Sequence, residues 1–255
     1  MHILATNDDG VFHPGLLALA QELRKVGKVT IVAPDHNWSA SGHVKTLRRP
    51  MRVREVELAD GSQGLACDGA PSDCVALSVL GLLPEPIDMV VSGINPNANL
   101  GHDVTYSGTV TAAMEAVIWN LPAIAVSQDS PEYAVGDLDF KVTAQVGAIV
   151  ARRVWENKLP GNTLLNVNVP YCGMDKIKGY RITRQGLRVY HDMLIKREDP
   201  SGRPYYWLGG EAPTGIAEEG TDVGALSECY VSITPLSLDM TAYSFKETLQ
   251  NWEFK

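Results

Sequence analysis

The sequence predicts an α/β protein: an open, mostly parallel sheet with helices on both faces, extended near the C-terminus by β-hairpins. Three observations predict it. As far as Pro170, short apolar runs closed by turn residues alternate with segments whose apolar residues recur at helical spacing. Beyond Pro170 that alternation gives way to short β-rich runs between Gly/Pro turns. At 255 residues, 45% hydrophobic and 20% charged, the chain is long enough for one large core, or for a core plus an extension.

Taken in order, Ile3-Leu4-Ala5-Thr6 is a short buried strand ending in the turn Asn7-Asp8-Asp9-Gly10. Behind Pro14 and Gly15, the residues Leu16, Leu17, Ala20, Leu23 and Val26 repeat along one helix face. Residues 29–33 form a second strand, stopped by Pro34-Asp35. Residues 52–58 and 64–67 read as a hairpin around Asp60-Gly61, and a helix runs from about Pro71 to Leu83. Residues 88–92 are a third core strand, followed by a long polar loop over 93–108. Residues 109–119 are helical and 123–127 a fourth strand. Leu138, Val142, Val146, Ile149 and Val154 stripe the next helix, and 163–169 close the pattern. Strands alternating with helices are crossover units, which place helices over both faces of a parallel sheet.

After Pro170, residues 179–183, 188–190 and 205–208 are short β-like runs, with Pro200-Ser201-Gly202 as a turn and 230–234 as a last strand. The chain divides accordingly into a core, 1–175, and a C-terminal hairpin arm, 176–255, that is not an independent domain.

Charge and composition exclude several function classes. With 22 basic and 30 acidic residues the net charge is −8, and a protein that grips polymeric nucleic acid needs a basic face. The compact basic cluster Lys45, Arg48, Arg49, Arg52 and Arg54 suits a solvated loop and strand, or the attraction of a small anion. No run approaches the roughly 20 apolar residues of a membrane helix, and residues 1–10 lack the basic start and apolar stretch of a signal peptide. The expected compartment is therefore the cytoplasm, with no membrane partner. Cys67, Cys74, Cys172 and Cys229 are scattered without zinc spacing, as expected of small buried thiols.

In an open parallel sheet, ligands bind beyond the carboxyl ends of the strands, and polar clusters fall at three such ends. Asp8 and Asp9 follow the first strand; adjacent carboxylates repel unless a cation neutralises them, although Asp-Gly is also ordinary turn chemistry. The loop Asn37-Trp38-Ser39-Ala40-Ser41-Gly42 follows the second strand with hydroxyl and amide oxygens, and equally suits a plain polar connection. Ser92-Gly93-Ile94-Asn95-Pro96-Asn97-Ala98-Asn99 follows the third and leads to Tyr106-Ser107-Gly108-Thr109-Val110. There hydroxyls, a glycine and a helix N-terminus make an anion cradle, or a simple Ser N-cap. Hard oxygen donors without sulfur favour Mg²⁺ or Mn²⁺, and a metal beside an anion cradle is equipment for phosphoryl transfer. The loop histidines His36, His43, His102 and His191 are candidates for a general acid, His102 foremost by its place between the asparagines and the cradle.

These segments resemble the survival protein SurE family: Leu4-Ala5-Thr6-Asn7-Asp8-Asp9-Gly10, Val32-Ala33-Pro34-Asp35, Trp38-Ser39-Ala40-Ser41-Gly42 and Val91-Ser92-Gly93-Ile94-Asn95. So do Gly69-Ala70-Pro71, Asn99-Leu100-Gly101, Tyr106-Ser107-Gly108-Thr109-Val110, Gly220-Thr221-Asp222 and Ser232-Ile233-Thr234-Pro235-Leu236. They stand in family order along nearly the whole chain. The resemblance implies a Rossmann-like core with a C-terminal arm exchanged between subunits, in a homodimer or homotetramer. It implies a phosphomonoester hydrolase releasing phosphate from nucleoside 5′- and 3′-monophosphates. One divalent metal per subunit would sit on Asp8, Asp9, Ser39 and Asn95, with Asp8 and Asp9 catalytic. Asn99, Ser107, Gly108 and Thr109 would face the substrate phosphate. The alternatives are a short-chain exopolyphosphatase and a non-catalytic metal- or nucleotide-binding sensor. Two departures from the family pattern are Asn97 and Cys229, each standing where glycine is common.

Overall fold

Short, nearly continuous runs of apolar residues let each core strand bury both faces. The chain, described at residues 1–131 and 137–254 in a computed structural model, begins with β1 (His2–Thr6), α1 (Pro14–Leu23) and β2 (Lys28–Pro34). It continues through β3 (Val53–Glu57), β4 (Gln63–Cys67), α2 (Pro71–Leu77), β5 (Met89–Asn95), α3 (Gly108–Ile118) and β6 (Ala123–Asp129). Next come α4 (Lys141–Asn157), β7 (Thr163–Pro170), β8 (Tyr180–Ile182), β9 (Arg188–Glu198) and β10 (Pro204–Gly215). The last elements are α5 (Asp222–Ser227), β11 (Val231–Ser237) and α6 (Tyr243–Gln250).

Nine strands form one sheet in the order β3-β4-β2-β1-β5-β6-β7-β11-β8. From β4 to β7 every neighbouring pair is parallel, while β3 and β11 run antiparallel to β4 and β7. Ile3, Ala5, Met89, Val91, Ile124 and Val126 point into a core shared with the buried side chains of α1 and α4. Leu4, Val90, Ala123 and Ala125 point into a second core shared with α2 and α3. The sheet is thus covered on both faces, and the α/β expectation holds. After β1 the chain turns through α1 to β2 on one side, and later crosses to β5 on the other. The crevice above β1 and β5 is the topological switch point, where ligands bind in such sheets.

Several boundaries differ from the sequence expectation for physical reasons. Strand β5 continues past Ser92 to Asn95, because its pairing with β6 resumes beyond an irregularity at Gly93. Helix α2 ends at Leu77, and the following residues 78–82 take a wider π turn that breaks at Gly81, φ +114°. Helix α1 is capped by His13, whose Nδ1 accepts from Gly15 N at 3.2 Å, and stops at Leu23. The segment after residue 175 contains more than hairpins. Strands β8 and β11 join the main sheet, and two helices, α5 and α6, were not foreseen. Only β9 and β10 stand apart, as a two-stranded antiparallel ribbon. Cys67 and Cys74 are buried as expected, whereas Cys172 and Cys229 are half-exposed. Cys229 adopts φ +61°, so its departure from glycine is a matter of backbone conformation. Asn97 has no positive φ, and its backbone makes no such demand.

The basic cluster pins the loop after β2 onto α3 and the sheet. Lys45 Nζ and His43 Nε2 reach Glu115 at 2.7 and 2.9 Å, joined by Trp119 Nε1 at 2.9 Å, while Arg49 pairs with Asp68 at 3.0 Å. Burial of Glu115 favours its neutral form, but the bonds from His43, Lys45 and Trp119 outweigh it and hold the carboxyl at about 2. A carboxyl depressed in the folded state contributes stability that is complete above its unfolded value, 4.5, and is lost as pH falls towards 2. Glu115→Gln is expected to cost about 2 kcal/mol at neutral pH, a gap that narrows below pH 4.5. Urea unfolding of both proteins across that range checks it; a gap that stays constant down to about pH 3 refutes it.

Candidate active site

The site begins with the turn after β1. Asn7 is fully buried and closes an Asx turn: its Nδ2 donates to Gly10 O at 3.0 Å and its Oδ1 accepts from Gly10 N at 3.2 Å. The turn chemistry noted in the sequence therefore belongs to Asn7, and it leaves the neighbouring carboxylates free for other work. Asp8 is 2% exposed. One of its oxygens accepts the Thr109 hydroxyl, and the nearby backbone of Gly108 and Thr109 also favours the charged form. Burial nevertheless pushes its pKa up, against those hydrogen bonds. Asp9 is pushed up to about 7, by burial first and by the charge of Asp8 second. Its Oδ2 is buried with no hydrogen-bond partner among the described residues. Adjacent, desolvated carboxylates with an orphaned oxygen are stable as charges only beside a cation. The donor set fits one.

The other oxygen donors are delivered by the neighbouring strands. Trp38 N donates to Asp8 O at 2.7 Å, which draws the loop after β2 over β1 and brings exposed Ser39 with it. Ser39 N in turn is held by Asn37 Oδ1 at 2.7 Å. Asn95 lies at the end of β5; its Nδ2 donates to the Asn97 carbonyl, so the amide oxygen is the atom left for a cation. Gly93 permits this placement: its φ is +135°, and a Cβ there would lie 2.2 Å from Val126 O on β6.

Helix α3 starts against Asp8. Ser107 is its N-cap, with Oγ accepting from Val110 N at 3.1 Å, so the capping role considered from sequence is present. Gly108 makes room for Asp8: a Cβ there would sit 2.6 Å from Asp8 Cβ. Thr109 is fully buried and spends its hydroxyl on Asp8. The helix N-terminus, with its free amides, faces the same region and suits an anion.

Asp8, Ser39, Asn95, Asn99 and Ser107 line one cavity of about 470 Å³; Asp9, Gly108 and Thr109 stand outside its wall. Asn99 is anchored by a buried amide network. Its N–H donates to Asn168 Oδ1 at 2.8 Å, and its carbonyl accepts from Asn166 and Asn168 at 2.8 and 3.1 Å. Its own Nδ2 donates to Ser127 Oγ at 2.8 Å. Two asparagines alternating in the otherwise apolar β7 were the sequence signal for this network.

Sequence reasoning missed the far wall. Asp103, Asp129 and Arg188 line the cavity, together with Ala212 and Pro213 of the hairpin and with Tyr106 from the cradle segment already singled out. Asp222, fully buried, ties this wall together by accepting from Gly101 N and Gly186 N at 2.9 and 2.7 Å. No periodicity links residues 103 and 188. None of the four candidate histidines lines the cavity, and His191 lies in β9, not in a loop. His43 is bound to Glu115, His36 to Asp35 at 2.6 Å and His191 to Thr214 at 3.0 Å, and His102 is exposed.

Comparisons with known proteins agree with this architecture. The family model described as "Survival protein SurE" matches residues 3–192. The 5′-nucleotidase SurE of Herpetosiphon aurantiacus is 53% identical over 249 residues, covering 98% of this chain and 97% of that protein. The 5′-nucleotidase SurE of Chloroflexus aggregans is 48% identical over 255 residues, the full length of both. Among solved structures, the SurE protein from Aquifex aeolicus superimposes with a TM-score of 0.82 at 39% identity, covering 98% of each chain. Matched in sequence from end to end and in fold across nearly its whole length, the chain belongs to the survival protein SurE family.

Proposed function

We propose that the chain is a 5′-nucleotidase that also accepts 3′-monophosphates, hydrolysing nucleoside monophosphates to nucleoside and phosphate with one divalent ion, Mg²⁺ or Mn²⁺, per subunit. The observation that carries this reading is the pair of desolvated carboxylates, Asp8 and Asp9, set against the N-terminus of α3 at the switch point of the sheet. The names of the relatives, 5′-nucleotidase SurE, point the same way.

Asp8, Asp9, Ser39 and Asn95 would hold the metal, which when bound supplies polarisation of a phosphoryl oxygen and a more acidic water. The chain's own groups do the positioning. The Thr109 hydroxyl fixes the Asp8 carboxylate in place. Ser107 and the backbone N–H groups of Gly108 and Thr109, which carry no other hydrogen bond among those described, would receive the phosphate oxygens. Asn99, held rigid by Asn166 and Asn168, borders the phosphate on the other side. Preorganised donors of this kind stabilise developing charge because they need no reorganisation during reaction. The exposed apolar residues of the hairpin, Trp207 and Leu208 among them, fit an arm that contacts other subunits in a homodimer or homotetramer.

Orthophosphate release from AMP, GMP and CMP, measured with Mn²⁺ and with excess chelator, tests the proposal. Turnover that depends on the metal is expected. Metal-induced stabilisation without turnover would instead identify a sensor, and preference for tripolyphosphate over AMP an exopolyphosphatase.

A further inference from the structure

The cavity carries an imbalance of charge. Its wall bears the carboxylates Asp8, Asp103 and Asp129 but, among the described residues, a single cationic side chain, Arg188. Arg188 stands at the first position of β9, at the base of the hairpin, and its side chain is 16% exposed. Nε donates to Asp103 Oδ2 at 2.7 Å, and Asp103 is braced on its other oxygen by Tyr190 OH at 2.8 Å. Gln185 Nε2 donates to Gly101 O at 2.7 Å, which ties the turn bearing Asp103 to the base of the hairpin. The guanidinium is therefore held in place, and none of the described hydrogen bonds uses its Nη groups.

A charge already matched by Asp103, with Asp129 on the same wall, is a poor attractant for a second anion. What Arg188 keeps is donor geometry, two terminal nitrogens in a rigid plane. Asp129 ends β6, two strands away from β1, a span of roughly 10 Å at ordinary strand spacing. A monophosphate held at Asp8 and α3 would extend its nucleoside across that span. Tyr106, 60% exposed on the same cavity wall, offers the base an aromatic face.

We propose that Arg188 is a specificity-determining residue of this enzyme: its Nη groups donate to acceptors on the ribose or base of the nucleotide, at a nucleoside subsite walled by Tyr106. The proposal rests on the nucleotidase reading above. The test compares kcat/KM for AMP with kcat/KM for phenyl phosphate, which has an aromatic leaving group but no acceptor on it. Arg188→Met is expected to lower the AMP-to-phenyl-phosphate ratio by about tenfold or more, the loss typical of a charged donor's hydrogen bond. The change should fall mainly on KM for AMP. Tyr190→Phe loosens the same Asp103 anchor without removing a donor to the nucleoside, and should leave the ratio unchanged. A ratio unaltered in Arg188→Met, with both substrates falling together or neither falling, overturns the proposal, as does an equal drop in ratio for Tyr190→Phe. Wild-type protein that turns over neither compound defeats the nucleotidase reading itself, a different and recognisable result.

Discussion

Asp8→Asn is expected to lower metal-dependent phosphate release by a factor on the order of 10³, while the metal-free protein unfolds at the same temperature as wild type or higher. The two halves of this result come from one cause. Burial makes the Asp8 carboxylate costly in its charged form, so removing the charge relieves the folded protein of a desolvated anion. Asparagine has the same shape and retains a carbonyl oxygen for the Thr109 hydroxyl. What it lacks is the negative charge that a divalent cation requires. Thermal unfolding with and without Mn²⁺ separates the effects: the wild type should gain stability from the ion and the variant should gain little. Asp9→Asn should behave alike, because its Oδ2 has no hydrogen-bond partner to lose among the described residues. Wild-type turnover in Asp8→Asn would remove the basis for the metal site.

Gly108→Ala sets two physical expectations against each other. At the first position of a helix, alanine is favoured over glycine by up to about 1 kcal/mol from helix propensity alone. The contact predicts the reverse, since the added Cβ would lie 2.6 Å from Asp8 Cβ and 2.8 Å from Asp8 Oδ2. Neither atom belongs to a flexible side-chain end, because Asp8 is gripped by Thr109. Either the carboxylate rotates away or α3 shifts, and overpacking of this kind costs roughly 1–3 kcal/mol. We expect a loss of stability near 2 kcal/mol and a fall in turnover of about 100-fold, as a displaced metal-binding group implies. Both are measurable by chemical denaturation and the phosphate assay. If Gly108 serves only to let a phosphate approach the backbone, the variant should keep or gain stability and still bind Mn²⁺. That pattern would reject the packing argument.

How much of this was legible beforehand differs from element to element. The core strands were readable because each is a short run of apolar residues buried on both faces, and the expected boundaries of β1, β2, β6 and β7 match closely. The stripe on α4 was readable for the same reason. The end of β5 was not, because Asn95 and Gly93 look like loop residues and become strand only through pairing with β6. Strand β11 was visible, but its place beside β7 was not, since nothing in a run of β-formers specifies its partner. Helix α6 is eight residues long with no buried residue, too short for its apolar positions, Tyr243, Phe245 and Leu249, to show a helical repeat. Among site residues, Asp8, Ser39, Asn95, Asn99 and Ser107 lie in polar clusters that follow the first three strands, but the likeness to the SurE family rather than the pattern singles them out, and the fold brings them to one cavity. Thr109 was placed correctly in the chain but expected at the phosphate, whereas its side chain is occupied by Asp8.

Alone, the order of residues determines the α/β class, the acidic turn after the first strand and the net charge of −8, because periodicity and charge can be read along the chain. Only the tertiary structure decides which groups meet: Thr109 with Asp8 across 101 residues, and Arg188 with Asp103 across 85. Such contacts depend on strand order and on the path of connecting loops, which hydrophobic patterning leaves open. Burial follows from the same packing. It is the largest cause that raises the Asp8 and Asp9 carboxyls, joined at Asp9 by the charge of Asp8, and it makes an ordinary Asp-Asp-Gly turn a place suited to a cation.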